Sequence, residues 1–599
     1  MEETMESQAG KPVLRPAVPG MVMLAAGVLL AGCSGGDGDR SFSSSATSNT
    51  ATQAATQCAQ LSGRTVPASA IGLPTTGAVV TGAQLVAASG SGASAIGEHC
   101  KLTGEIKPVD QTAPPIRFEL NLPSSWNGKV VMFGGGGYDG SIPSTTTTTA
   151  NNVTTSIPAN VPAGPTDQLK PLGRGYATFS SDSGHRAGTL GSRDGSFGVN
   201  EEALRNFAGD ALKKTRDTAI FLLNARYGVS KPQKAYFAGG STGGREALAV
   251  VQRWPEDWDG AIVLYPAWNA ASLDLQFGRI TRAFAQPDAY PNQAKRKILF
   301  DAALEACDGL DGARDGVVSN IAGCNATFDP ATATLRGAPL RCPDGGEGGD
   351  TCLSDAQINA LKVFNTPINF NYPLASGETQ YPGFNVWGSD LGMAGTNPLQ
   401  ATVTTLALGT SQPANPMPAT APYGSTFWDQ WVKYFVTRDP NFNSLTLDPE
   451  NPGTWQSRIS ELTGIQDVNK TDLSAFRTKG GKILMAHGTA DVLVSTRATE
   501  QYYERLKSTM GADAVNSFVR YYEIPGYGHS TSTVFNAAWD SLTALENWVE
   551  KGVPPTNQVV ADITGVPGRT RPLCEYPGWP QYKGSGDINL AANYSCITQ

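Results

Sequence analysis

The sequence predicts an α/β fold interrupted by one large insertion, on three observations. Apolar strand-like runs alternate with amphipathic helical runs up to residue 265 and again after residue 473. One of those strands ends in a serine turn flanked by glycines and leads directly into a helix. Between two later strands, residues 266–473 abandon the alternation altogether. Taken in order, residues 116–122 and 130–133 start the sheet and residues 175–180 continue it. A long amphipathic helix is expected from about residue 208 to 227, followed by strands at 234–238 and 260–265, and after the insertion at 481–488 and 518–524.

The serine turn is Gly239-Gly240-Ser241-Thr242-Gly243, between the apolar run ending at Ala238 and the amphipathic run 244–254. A hydroxyl attacks a carbonyl only when it stands clear of the backbone beside a base, and a strained strand-to-helix turn with small residues two before and two after provides this. Such pentapeptides also arise by chance in glycine-rich loops, so the partners decide. Asp491 follows the strand 481–488, and His529 follows the strand 518–524 in Pro525-Gly-Tyr-Gly-His529. The chain order Ser241, Asp491, His529 is that of α/β-hydrolases and differs from the chymotrypsin and subtilisin orders. Ser241 is thus expected as nucleophile, His529 as general base and Asp491 as the acid that orients it. The alternatives are an Asx turn or helix cap for Asp491 and a satisfied core histidine for His529. His185 is read as hydrogen-bonded within its loop, and His99 and His487 as structural.

Charge on the tetrahedral oxygen needs preorganised donors. The backbone N–H of Thr242 is one candidate, and Gly137 in the run Phe133-Gly-Gly-Gly-Gly-Tyr138 is the other, unless that run is only a flexible turn. It is not a phosphate loop, because no Gly-Lys-Ser/Thr follows.

Composition narrows the setting. The 599 residues carry 16% charged side chains, below the ~25% of ordinary soluble domains, and 67 glycines and 40 prolines spread along the chain suggest a loop-rich exported protein. A net charge of -8 argues against nucleic acid as a partner. A small-molecule partner and a monomer are expected. Lys11 and Arg15 precede an apolar run from Met21 to Ala31, too short to span a membrane comfortably and suited to a signal peptide. It ends in Leu30-Ala-Gly-Cys33, a lipobox pattern with Cys33 as the lipidated residue, unless the signal is an ordinary secretory one. Ser34 after it suggests the outer membrane; otherwise the protein is periplasmic or extracellular. The expected organisation is a signal peptide (1–33), a Ser/Thr/Gly/Ala-rich tether (34–57), a catalytic domain from 58–265 with 474–599, and a lid (266–473).

Removing Cys33 leaves Cys58, Cys100, Cys307, Cys324, Cys342, Cys352, Cys574 and Cys596. An even number agrees with export, and the spacing invites consecutive pairs, although the number alone leaves all 105 connectivities open. No Cys-x-x-Cys is present, which argues against zinc. In the lid, Trp387, Phe427, Trp428 and Trp431 could line an aromatic pocket, but Trp428, Trp431 and Phe435 share one helix face and are more simply core. The run Cys307-Asp-Gly-Leu-Asp-Gly-Ala-Arg-Asp-Gly-Val-Val318 offers Asp308, Asp311 and Asp315, with the carbonyls of Ala313 and Val317, as calcium ligands, or else is a set of Asp-Gly turns.

The elbow Gly-Gly-Ser-Thr-Gly-Gly-Arg, the Asp-x-x-Asp-Gly-x-x-Asp-Gly loop after Cys307, His487-Gly-x-x-Asp491, and the ending Arg571-Pro-Leu-Cys-Glu-Tyr-Pro577 through Tyr582 to Cys596 together resemble the tannase/feruloyl esterase family, from about Cys58 to Cys596. The resemblance implies an α/β-hydrolase core with an inserted lid, a structural calcium in that lid, and aromatic-acid esters as substrates. It also implies the pairs Cys58 with Cys100, Cys307 with Cys324, Cys342 with Cys352 and Cys574 with Cys596. One departure is clear. The family's cysteines just before the nucleophile and just after the catalytic histidine are replaced by Gly240 and Ser530.

The family spans tannases, feruloyl and chlorogenate esterases and mono(2-hydroxyethyl) terephthalate hydrolase, in which a lid arginine holds a free carboxylate. Between Leu353 and Thr437 this chain has no arginine, only Lys362 and Lys433, so a bidentate clamp from that segment is unavailable. Neutral or phenolic aromatic esters are therefore expected, with a terephthalate monoester as the alternative. A non-catalytic surface-binding lipoprotein on the same scaffold is the reading from another class.

Overall fold

A computed structural model describes residues 53–144, 148–150, 153–155, 168–563, 565–566 and 568–598. The expected signal peptide, the lipobox pattern with Cys33 and the expected tether up to residue 52 lie outside the described residues. Among the described residues, an eleven-stranded sheet is built from β1 (Thr65–Val66), β2 (Ala78–Val86), β3 (His99–Ile106), β4 (Ile116–Pro123), β5 (Lys129–Phe133), β6 (Ala177–Ser181), β7 (Lys234–Gly240), β8 (Gly260–Leu264), β9 (Lys482–Gly488), β10 (Val519–Ile524) and β11 (Cys574–Glu575). Their order is β1-β2-β3-β4-β6-β5-β7-β8-β9-β10-β11.

The strands β5 to β10 pair in parallel, with Gly260 opposite both Tyr236 and Lys482, and Ile483 opposite Val519. Their residues explain this. Val-Val-Met-Phe of β5, Ala-Ile-Val-Leu of β8 and Ile-Leu-Met-Ala of β9 are continuous apolar runs buried on both faces, as parallel strands covered by helices require. The sequence-derived strands all form, with ends shifted by a residue or two. The edge strands β1, β2 and β3 were not among them. They join antiparallel to β4, and a register shift between Val80 and Gly82 breaks the alternation that would have announced β2.

Eight helices matter for the site: α1 (Ala211–Tyr227), α2 (Thr242–Arg253), α3 (Ala270–Phe284), α4 (Gln293–Cys307), α5 (Asp355–Asn365), α6 (Tyr423–Gln430), α7 (Thr496–Met510) and α8 (Ser541–Lys551). The first begins three residues later than the pattern suggests because Gly209 takes φ 135°, and it stops at Gly228 in the left-handed region. The insertion between β8 and β9 supplies α3 to α6. Its Phe284, Leu361, Trp428, Trp431 and Phe435 belong to the same buried cluster as Phe237 of β7 and Leu248 of α2, so it shares the catalytic core. Disulfides join Cys58 to Cys100, Cys307 to Cys324, Cys342 to Cys352 and Cys574 to Cys596. Closing loops of such length stabilises by about 2 to 4 kcal/mol each in the chain-entropy account. No helix among the described residues is long and apolar enough to cross a membrane.

Candidate active site

In a parallel sheet all strands end on the same edge, and there the loops after β5, β7, β9 and β10 meet. Ser241 occupies the junction of β7 and α2 at φ 60°, ψ -124°, a conformation that costs energy for any residue with a side chain. Its N–H donates to Leu264 O at 3.0 Å, and its carbonyl accepts from Arg245 at 3.0 Å and Ala267 at 3.1 Å, so three backbone bonds hold the strain in place. A Cβ on Gly239 would come within 2.4 Å of Gly243 O, and one on Gly243 within 2.8 Å of Gly135 O. The small residues are thus demanded by backbone passing backbone.

The three residues picked out by chain order come together. His529 Nε2 is 3.0 Å from Ser241 Oγ, and His529 Nδ1 is 2.8 Å from Asp491 Oδ2. Asp491 is fully buried, and its other oxygen accepts the N–H groups of Leu493 at 2.8 Å and Val494 at 2.9 Å. Burial alone would raise this carboxyl, but the His529 charge and hydrogen bonds from His487 and His529 outweigh it and hold Asp491 far below the ordinary carboxylate range.

His487 was read as structural, yet it touches the acid. Its Nε2 lies 3.1 Å from Val494 O and 3.3 Å from Asp491 Oδ2, while Thr499 Oγ1 of α7 sits 2.8 Å from its Nδ1. A carbonyl can only accept, so Nε2 carries the proton and Thr499 donates to Nδ1. The His-x-x-x-Asp spacing, with the histidine one residue from the end of a buried strand, was the available signal.

The positions of the absent cysteine pair, Gly240 and Ser530, flank this site, and other bonds hold the His529 loop. Ala490 N donates to Tyr527 O at 3.1 Å, and Ser532 Oγ to Gly526 O at 2.7 Å. The Tyr265 ring stands edge-on to His529 with centroids 4.9 Å apart.

Thr242 opens α2, so its N–H has no acceptor within the helix. Its hydroxyl donates to Gly137 O at 2.6 Å, tying the glycine run to the elbow. Gly137 adopts φ 62°, and a Cβ there would meet Ser192 O at 2.3 Å. Within residues 134–139 the N–H groups of Gly134, Gly135, Tyr138 and Asp139 are committed to Ala238 O, Glu246, Ser192 O and Gly136 O. That of Gly136 points to the Asp139 carboxylate, and that of Gly137 donates to no acceptor among the described residues.

Beside this run, Phe427 of α6 stacks on Tyr138 at 4.0 Å and Tyr423 stacks on Phe427 at 5.3 Å. Trp428 and Trp431 are core, donating to Ser444 O and Gln466 Oε1. Trp387 is buried against Phe328. His185 stacks on Phe197 at 3.6 Å, and burial pushes its imidazole down to about 4, so it is neutral. Against His529 lies a small cleft of about 20 Å³ walled by Val403, Leu406, Ala407, Ala490, Val492 and Asp390. The Asp390 carboxylate is taken up by Gly392 N, Met393 N, Gln400 Nε2 and Thr533 Oγ1, and the cleft presents no lysine or arginine.

In the Asp-Gly loop, Asp308 accepts from Gly316 N at 3.0 Å, Asp311 from Ala313 N at 2.9 Å and Asp315 from Val317 N at 3.0 Å, while Asp315 also pairs with Arg571. Among the described residues no group of three or more His, Cys, Asp or Glu converges as a metal site. Asp311 Oδ2, however, is buried with only the Ser319 hydroxyl beside it, and burial pushes this carboxyl up to about 6. A buried carboxylate oxygen so poorly served, in a loop that carries two further carboxylates, is of the chemistry a hard cation takes.

Comparison with known proteins agrees with this geometry. A family model described as "Tannase and feruloyl esterase" matches residues 100–597. The chain belongs to the tannase and feruloyl esterase family. As a member it is a carboxylic ester hydrolase on an α/β-hydrolase fold. An uncharacterised esterase of Agrobacterium fabrum is 39% identical over 91% of this chain and 93% of its own length. The mono(2-hydroxyethyl) terephthalate hydrolase of Piscinibacter sakaiensis is 31% identical over 84% of this chain and 85% of its own. The crystal structure of feruloyl esterase B from Aspergillus oryzae superposes with a TM-score of 0.68 at 22% identity, covering 91% of this chain and all of that one, and so supports the shared fold.

Proposed function

We propose that this family member is an exported serine esterase that cleaves esters of aromatic, phenolic acids through an acyl-enzyme on Ser241. The observation that carries the reading is the unbroken relay from Ser241 Oγ through His529 to Asp491 beside the aromatic stack of Tyr138 and Phe427. His529 Nε2 takes the hydroxyl proton as Ser241 Oγ bonds to the ester carbon, and Asp491 holds Nδ1–H and offsets the imidazolium charge. The N–H groups of Thr242 and Gly137 receive the oxyanion. Collapse of the tetrahedral intermediate expels the alcohol, which takes the proton from His529, and a water deprotonated by the same nitrogen then releases the acid.

The substrate preference follows from the cleft against His529, which is lined by no lysine or arginine. A free carboxylate needs a cation, and the cleft at His529 instead presents Asp390. Methyl ferulate, chlorogenate and methyl gallate are expected to be cleaved with higher kcat/KM than mono(2-hydroxyethyl) terephthalate, measured by product release under identical conditions. Turnover of the terephthalate monoester alone would overturn the neutral-pocket argument while leaving the triad. That second reading has one specific support, the relative of that activity at 31% identity.

Calcium in the lid is part of the proposal, held by Asp308, Asp311 and Asp315 with the carbonyls of Ala313 and Val317; the buried Asp311 Oδ2 supports it. Its role would be to tie the loop after α4, not to act on substrate. Thermal unfolding in excess chelator is expected to occur several degrees lower than with added calcium, since a ligand of the native state alone stabilises it by mass action. An unchanged Tm would refute the site. Four disulfides suit an oxidising compartment, consistent with export. Acylation of Cys33 is the attachment proposed with it, and fractionation of a Cys33→Ser variant against the parent protein decides that point.

A further inference from the structure

Beneath the proposed oxyanion loop lie two carboxyls that the mechanism above does not use. Glu246, on the first turns of α2, accepts the Gly135 N–H at 2.9 Å, and a Cβ on Gly134 would meet its Oε2 at 2.6 Å. Asp139, at the far end of the glycine run with φ 56°, accepts from Ser183 Oγ at 2.5 Å through Oδ2. Its Oδ1 approaches so closely that a Cβ on Gly135 would meet it at 2.2 Å. The loop is therefore gripped from the α2 side by one acid and from its own end by the other.

The two acids also face each other. Both reach Gly135, Glu246 through its N–H and Asp139 Oδ1 to within 2.2 Å of where a Cβ would stand, and both are almost wholly buried. If both were ionised, neither would have a hydrogen to give, and two carboxylates would face each other out of water. One shared proton removes the conflict. We propose that Glu246 and Asp139 hold a single proton between them, and that this acid pair is a positioning device that presents the Gly137 N–H group to the oxyanion.

The surroundings agree. Among the described residues the cation facing the pair is Arg245, fully buried, and it is shared with Asp274 and Asp467 while Arg253 opposes it; Tyr423 also faces Asp139. Arg245 spends its own donors on Phe207 O at 2.9 Å and Gln466 O at 3.4 Å. Burial raises both acids, Asp139 to about 6 and Glu246, further opposed by the Asp139 charge, well above its ordinary range. The unfolded chain releases such protons near pH 4. The native pair thus keeps its proton to higher pH than the unfolded chain, and loss of that proton as pH rises sets two anions against each other under the loop.

The inference rests on Ser241 being the nucleophile. It is tested by pH profiles of kcat and KM for p-nitrophenyl acetate, read at the isosbestic wavelength, with Tm recorded for each protein. In Glu246→Gln the amide N–H replaces the shared proton and its carbonyl still accepts from Gly135. This variant is expected to keep kcat within about threefold at neutral pH and to lose the alkaline decline of the parent enzyme. Asp139→Asn, with its amide donating to Glu246, should behave likewise. Glu246→Ala leaves Gly135 without its acceptor and is expected to lose roughly 10²-fold in kcat with little change in KM, the mark of a misplaced oxyanion donor. The proposal fails if Gln is as impaired as Ala, or if both amide variants retain the parent's alkaline decline. Absence of any ester turnover by the parent enzyme would instead sink the nucleophile assignment and this inference with it.

Discussion

Ser241→Ala is expected to lower kcat for methyl ferulate by roughly 10⁵- to 10⁶-fold, since removing the nucleophile of such a relay abolishes the covalent route and leaves only binding and oxyanion stabilisation. The fold should survive, because the hydroxyl makes one hydrogen bond, to His529, while the strained backbone is held by Leu264, Arg245 and Ala267. The double variant with His529→Ala should be scarcely slower than either single one, as the two groups act on one proton in one step. Labelling with a fluorophosphonate should be stoichiometric in the parent protein and absent in both single variants. A Ser241→Ala protein retaining a tenth of its activity with unchanged Tm would show that another residue attacks.

Asp491→Asn carries the next largest effect, a loss of about 10⁴ in kcat. The volume hardly changes, but an amide can turn its NH₂ toward His529 Nδ1, which then accepts, and the proton is driven to Nε2, the atom that must be bare to activate Ser241. Any recovery should depend on pH, with His529 trapped in the wrong tautomer. His487→Gln removes one support of the same carboxylate, Nε2 at 3.3 Å, without breaking the 2.8 Å bond to His529. Losing a hydrogen bond of about 1.4 kcal/mol corresponds to roughly tenfold. The two changes are therefore separated by about three orders of magnitude in kcat at equal KM. If they prove equal, His487 and His529 act on Asp491 as one unit and the division of roles drawn above is wrong.

The elbow, the triad and the parallel strands were legible because each is a local pattern. Glycines at 239 and 243 around a serine between a buried strand and a helix, and an acid and a histidine just past two later buried strands, are properties of short segments and their order. His487 was missed because strand periodicity makes it an ordinary inward side chain, and only the turn 488–494 brings it back onto Asp491. Asp139 and Glu246 were missed for a stronger reason. An acid on a helix and an acid in a glycine loop read as solvated groups, and nothing local states that α2 and the loop after β5 bury them against each other. The lid tryptophans illustrate the converse, since helical spacing placed Trp428 and Trp431 in the core while their neighbour Phe427 turned toward Tyr138.

What the sequence by itself determined is the α/β class, the family, the strand-to-helix turn at Ser241 and the order of its partners, since steric passage at glycines and burial of apolar runs operate over a few residues. Only the tertiary structure decided the distances of 3.0 and 2.8 Å along the relay, the second histidine on Asp491, the aromatic wall beside Gly137 and the buried acid pair beneath it. Each of these joins side chains from segments distant along the chain or aimed by a turn. Such contacts are set by sheet register and helix packing, which sum over the whole core and are written in no single stretch of the chain.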